Sequence, residues 1–190
     1  MKNLILLFIL NLCISCGSDP VPKPKAFLRL DYPQQKYIDV DAQLPFTFQK
    51  NEFAVDISSI KASSDKKTYG LDINYPSLKA TIYITYKKVE NNIDAYLIDA
   101  QNLTQKHTQK ADEITFLPYE NLPNKVYGML YEVGGNAASQ SQFYVTDSIN
   151  HFITGSLYFY AKPNYDSILP AADYLKKDIQ HIMETIKWKQ

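Results

Sequence analysis

Cysteine is nearly missing from this sequence. Cys13 and Cys16 are the only two among 190 residues, so the rest of the chain can form no disulfide, cysteine zinc site or thiol nucleophile. Arginine is scarcer still, Arg29 being the only one. Arginine is the preferred residue for bidentate phosphate and base contacts, so its scarcity argues against nucleic acid as a partner. Charge of either sign is in balance, with 20 basic and 20 acidic residues; no global field points to an anionic surface. No apolar run approaches the ~20 residues needed to span a bilayer. No Gly-x-Ser-x-Gly elbow occurs, and the three histidines have no metal-ligand spacing.

What is present begins at the amino terminus. Lys2 is followed by an apolar run from Leu4 to Leu10, which then narrows through Ser15 to Cys16. Charge, apolar core and small-residue cleavage site are the layout of an exported precursor. A cysteine directly after such a segment resembles the bacterial lipoprotein signal, in which residues 1–15 are removed and Cys16 becomes the lipidated first residue. Cys13 follows the bulky Leu12 and fits the cleavage pocket poorly, whereas Cys16 follows Ser15. The diacylglycerol and N-acyl (palmitate-type) chains expected on Cys16 each add roughly 0.8 kcal/mol per buried methylene, enough together for a permanent anchor. No other cofactor is expected. Residues 16–26 alternate proline with other residues and read as a tether, reaching roughly 25–30 Å if extended.

Residues 27–190 are of single-domain length and must be held by their own apolar core. Residues 27–33 read as an extended lead-in. Short β-branched and aromatic runs suggest strands over 45–48, 53–57, 69–75 and 80–86, with an exposed loop over 58–67. The period then lengthens: Ile93, Tyr96, Leu97, Ala100, Leu103 and His107 define a helix to about Thr108, with Asn92 placed to cap it. Further strands are expected over 113–116, 125–133, 142–146 and 152–160, joined by turns at Gly134, Gly135 and Asn136 and at 147–150. Ile168, Ala172, Leu175, Ile179, Ile182 and Ile186 stripe a terminal helix, with Pro170 near its start and Lys176, Lys177, Asp178 and Glu184 on its other side. Short connections imply antiparallel neighbours. The expected class is α+β, one domain with an antiparallel sheet packed by two main helices; the order of elements is similar to the PsbP/Mog1 type of layered fold.

Asp147, Ser148 and His151 bring a serine, a histidine and an aspartate within five residues, yet acyl-transfer triads are assembled in space, and a tight turn explains the same residues. Asp178, His181 and Glu184 recur along one helix edge, where a divalent metal competes with ordinary surface ion pairing. Fifteen tyrosines are too many for the core of a domain this size, so some face outward, and aromatic surfaces are what protein partners use. Tyr144, Asp147, His151 and Tyr158 are the candidate partner or ligand surface.

Pro22, Lys23, Pro24 and Lys25 leading to 28–33, then 106–108 with 110–112, 141–148 with His151 and Phe152, 155–159, 163–167 and 184–188 form a set of stretches spread nearly end to end. Together they resemble the GldD family of gliding-motility lipoproteins of the Bacteroidetes. The resemblance implies a membrane-anchored cell-envelope lipoprotein that supports gliding and the associated type IX secretion machinery. Its expected partners are other envelope lipoproteins and motility or secretion components, met on the periplasmic side, with the outer membrane favoured over the inner. The family implies no activity or active-site residue, and none is expected here. The residues leave two alternatives open: a small-ligand module with a pocket between sheet and helix, and a periplasmic hydrolase using Ser148, His151 and Asp147.

Overall fold

The computed structural model describes residues 31–40, 42–55, 57, 60–106, 111–160 and 164–189. The signal, Cys16, the tether, residues 27–30, His107 and Thr108 lie outside these. A seven-stranded antiparallel sheet carries the domain, in the order β4 (Ile60–Ala62), β5 (Thr68–Tyr75), β6 (Ala80–Lys88), β10 (His151–Phe159), β9 (Ser139–Thr146), β8 (Val126–Gly135) and β7 (Ala111–Asn121). After β6, helix α1 (Ile93–Gln105) leads to β7 at the far edge. The β7–β10 meander then brings the chain back beside β6. Two small ribbons complete the fold: β1 (Tyr37–Asp39) with β3 (Gln49–Asn51), and β2 (Phe46–Thr47) with β11 (Lys187–Trp188).

The alternation along each long strand decides which side is dry. In β6, Ala80, Ile82, Ile84 and Tyr86 point into the main core, and in β5 Leu71, Ile73 and Tyr75 join them. Helix α2 (Tyr165–Thr185) covers this face with Leu175, Ile179 and Ile182, all 1% exposed or less. Each such side chain contributes about 1.5–3 kcal/mol by leaving water. Phe46 and Phe48, each 1% exposed, close the core from the amino-terminal side. The expected α+β class, with an antiparallel sheet and two main helices, is what the fold has.

Several boundaries differ from expectation. The described residues of 53–57 form no strand: Phe53 and Ala54 turn, with the Phe53 N–H donating to Asn51 Oδ1 and the Val55 N–H to the Asn74 carbonyl. The expected loop over 58–67 contains β4, because its residues find β5 as a partner. Asn92 does not cap α1; its Oδ1 accepts the Glu90 N–H instead. Pro170 lies inside α2, in the second turn, where it forgoes one backbone bond. Gly135 has φ +90, the left-handed geometry expected at that turn, and a Cβ there would stand 2.7 Å from Asp112 N. Asp178 is 0% exposed and lies on the buried side of α2, contrary to its expected place on the polar face.

Candidate protein-interaction face

The second face of the sheet is covered only in part. Helix α1 fully buries only Ala100 and Thr104, and it packs Ile93, Tyr96 and Leu97 against Val89, Phe152 and Tyr144. The Thr104 hydroxyl donates to Gln142 Oε1 at 3.0 Å, pinning the helix to β9. Ile98 and Leu103, on the rest of α1, are 56% and 37% exposed. A helix this narrowly docked leaves the flanking strands in contact with water.

A row of rings runs across the covered strip and out to the β7 edge. Tyr96 lies 5.5 Å from Phe152, which stacks on Tyr144 at 5.7 Å and 13°. Tyr144 meets Tyr131 at 6.3 Å, and Tyr131 meets Phe116 edge-on at 5.6 Å and 81°. Strand register sets the last pair, since Phe116 lies opposite Tyr131. The row ends in water, with Phe116 60% exposed. Beside it, Ile114, Phe116, Met129, Tyr131, Tyr144 and Thr104 line a cleft of about 200 Å³. Burial pushes the Tyr131 phenol up to about 12, with Tyr144 adding to it, and raises Tyr144 as well. Both are therefore neutral amphipathic rings at physiological pH, suited to partner contacts.

A second set of tyrosines sits on β6 and β10. Tyr83 meets Tyr158 edge-on at 5.8 Å, and its hydroxyl lies 2.7 Å from that of the 62%-exposed Tyr160. That bond, followed by burial, pushes Tyr83 up to about 12.

The four candidate residues named from the sequence are not brought together. Tyr144 and Tyr158 share the open face on neighbouring strands, but Tyr144 pairs with Thr154 and Tyr158 with Ser139. His151 points to the other face, stacked on Trp188 at 4.9 Å and 5°, with Nδ1 hydrogen-bonded to Tyr86 Oη at 2.9 Å. Asp147 Oδ1 accepts the N–H groups of Ile149, Asn150 and His151 and so builds the turn. Its Oδ2 is 4.0 Å from His151 Nε2. Ser148 takes a positive φ of 68 in that turn, and its N–H donates to Thr146 Oγ1. In a hydrolytic triad the nitrogen remote from the aspartate faces the serine; here it faces Tyr86.

The Asp178, His181 and Glu184 edge is neither a metal set nor a surface ion pair. Asp178 accepts from Gln35 Nε2 at 2.8 Å, Tyr37 Oη at 3.0 Å, Tyr75 Oη at 3.0 Å, and Asn51 Nδ2 at 3.1 and 3.0 Å. His181 stacks on Tyr37 at 3.5 Å and bonds Gln49 Oε1 at 2.9 Å. Among the described residues no group of three or more His, Cys, Asp or Glu is placed to hold a metal ion. The carboxylate instead clasps the amino-terminal segment to α2. Sequence reasoning missed this clasp, although Tyr174, Asp178 and Ile182 fall at successive four-residue steps on a buried side. It also missed Trp188, whose indole N–H donates to the Lys125 carbonyl at 3.0 Å.

Residues 17–188 match the family model described as gliding motility lipoprotein GldD. No curated protein and no solved structure matches the chain.

Proposed function

The chain belongs to the GldD family of gliding motility lipoproteins, and from that premise we propose that it is a docking component rather than an enzyme. In this reading the lipid on Cys16 holds it in the cell envelope, with the domain on the periplasmic side and the outer membrane favoured. Among the described residues no helix is long and apolar enough to cross a membrane. The open face of the sheet binds another envelope protein of the motility and secretion apparatus. One observation carries this: a row of five rings ends at Phe116, 60% exposed beside an apolar cleft. Such an anchor beside a pocket is how interfaces concentrate their binding energy. A photoreactive residue at position 116, introduced into the full-length protein in motile cells, should give one discrete protein adduct. The same residue at Val55, also exposed, should not. Equal labelling at both positions would count against the face.

The absence of catalysis is part of the proposal. Its support is the engagement of His151 by Tyr86 and Trp188. Labelling by a serine-reactive probe that disappears in Ser148→Ala would overturn it. The 200 Å³ cleft also favours a second reading, a small apolar ligand held between α1 and the sheet. Mass spectrometry of the native protein distinguishes the two, because a stoichiometric small molecule lost in Met129→Lys would favour the ligand.

A further inference from the structure

The seven-stranded sheet has two edges, and they are built differently. β4 closes one with three residues, Ile60–Ala62, and a lysine at the middle, Lys61. Shortness and an edge lysine are how native sheets discourage further pairing. β7 closes the other with eleven residues, Ala111–Asn121, about twice the ordinary strand length. Among the described residues no strand pairs with its outer side.

Pro118 fixes which backbone groups face outward. The pairing of β7 with β8 runs without a break from Glu113 to Asn121, passing through Pro118 opposite Met129. A residue with no N–H fits an edge strand where its nitrogen points away from the neighbour. Bonding direction alternates along an antiparallel strand, so Ile114, Phe116 and Pro118 turn their backbone outward while Thr115, Leu117 and Tyr119 bond β8. The outer side thus offers the N–H and C=O of Ile114 and Phe116 and the C=O of Pro118.

The side chains around these groups form a bed for a strand. Between Glu113 and Glu120 the edge carries no charge, and Thr115, Phe116, Leu117 and Pro118 are all exposed. Ile114 and Phe116 border the 200 Å³ cleft on the α1 face. On the opposite face Leu117 and Tyr119 border a second cleft of about 200 Å³, walled by Leu130 and Met183. A strand laid against β7 sets alternate side chains towards the two clefts. Strand addition of this kind takes affinity from the backbone and specificity from the alternate pockets. Asp112, Glu113 and Glu120 flank the uncharged stretch, and β7 has no basic residue. A second copy of the chain would bring like charge to the joint, which is destabilising, whereas a segment with basic ends is complementary.

We propose that β7 receives an extended segment of a partner protein as an added strand, a run of β-branched and apolar residues bounded by lysine or arginine. The proposal rests on the docking face described above and names how that face is engaged: the backbone of Ile114 and Phe116 sets the register, and the cleft beside Phe116 takes a side chain of the incoming strand.

The test uses the full-length lipoprotein in detergent and follows amide hydrogen exchange by NMR. Without peptide, the Ile114 and Phe116 amides should exchange at least about tenfold faster than those of Thr115 and Leu117. The peptide Lys-Val-Thr-Val-Thr-Val-Thr-Lys is then titrated beside two relatives, one N-methylated throughout and one with glutamate for both lysines. Saturable slowing at Ile114 and Phe116, absent with the methylated peptide and at least about threefold weaker with the glutamate one, supports strand addition. No slowing with the lysine peptide, or slowing that grows with protein concentration alone and so gives the edge to a second copy, would overturn it. In cells, the adduct expected from position 116 should disappear in Ile114→Pro, which removes an outward N–H, and persist in Ile114→Thr, which keeps it. An adduct that survives Ile114→Pro would overturn strand addition and leave docking by the rings standing; no adduct in the parent chain would remove both. If Ile114→Pro does not fold, an ester in place of the Phe116 amide, which keeps the ring, is titrated with the lysine peptide instead, and undiminished binding overturns the proposal.

Discussion

Replacing Asp178 with alanine should destabilise the protein more than any single truncation of an apolar core side chain's last methyl. The carboxylate is 0% exposed and accepts from Gln35, Tyr37, Asn51 and Tyr75. Alanine leaves these donors facing an empty site. Stranding a buried donor costs about 1–3 kcal/mol, the losses are not additive, and breaking a buried charged network costs about 3–5 kcal/mol in all. For a domain of this size that is a fall of roughly 6–20 °C in melting temperature, read by circular dichroism on the full chain. A fall below about 2 °C would refute the clasp as a main support of the fold. Asp178→Asn separates charge from shape. Burial pushes the Asp178 carboxyl above the ordinary carboxylate range, with its hydrogen bonds to Asn51, Tyr75, Tyr37 and Gln35 opposing. A raised folded-state pKa means a contribution fully present below about pH 3.9 and lost as pH rises through the folded value. Asparagine does not titrate, so its deficit relative to wild type should be larger at pH 4 than at pH 7. A deficit that shrinks in acid would refute the reasoning about the buried charge.

His151 carries the opposite sign. Burial lowers its pKa, Lys88 adds to this, and Asp147 opposes, so its contribution is present above about pH 6.5 and lost as pH falls through the folded value. His151→Phe should flatten the stability profile between pH 7 and 5 in urea unfolding, and an unchanged slope would exclude His151 as its source. Gly155→Ala drives a Cβ into the Phe143 ring, an overpacking that costs about 1–3 kcal/mol; an unchanged urea midpoint would mean that the ring simply moves aside. Cys16→Ala should shift the protein from the membrane to the soluble fraction, and retention after processing would contradict the lipid anchor.

The long strands were legible because each carries its own alternation: β5 and β6 bury Leu71, Ile73, Ile82 and Ile84 as their spacing requires. The stripe Leu175, Ile179 and Ile182 made α2 equally plain. The ribbons were not, because Tyr37–Asp39 and Gln49–Asn51 are three residues each and become strands only by finding one another. Phe53, Val55 and Ile57 alternate like a strand, but Asn51 turns the chain there first. The docking face was half legible. Alternation puts Ile114 and Phe116 on one side of β7, but nothing local states that α1 is too narrowly docked to cover Phe116. Tyr144 and Tyr158 lie half-buried on the open face, while His151 is drawn to the other face by partners distant in sequence, Tyr86 and Trp188.

The most direct measurement is gliding itself in cells whose only copy carries Phe116→Glu. Phe116 is 60% exposed and the substitution removes its edge-on contact with Tyr131, a loss of about 0.5–1.5 kcal/mol, so the protein should stay folded and membrane-bound. A charge at the end of the ring row should nevertheless disrupt an apolar contact with a partner, and the cells should cease to glide. Normal gliding speed at normal protein level would contradict docking through this face.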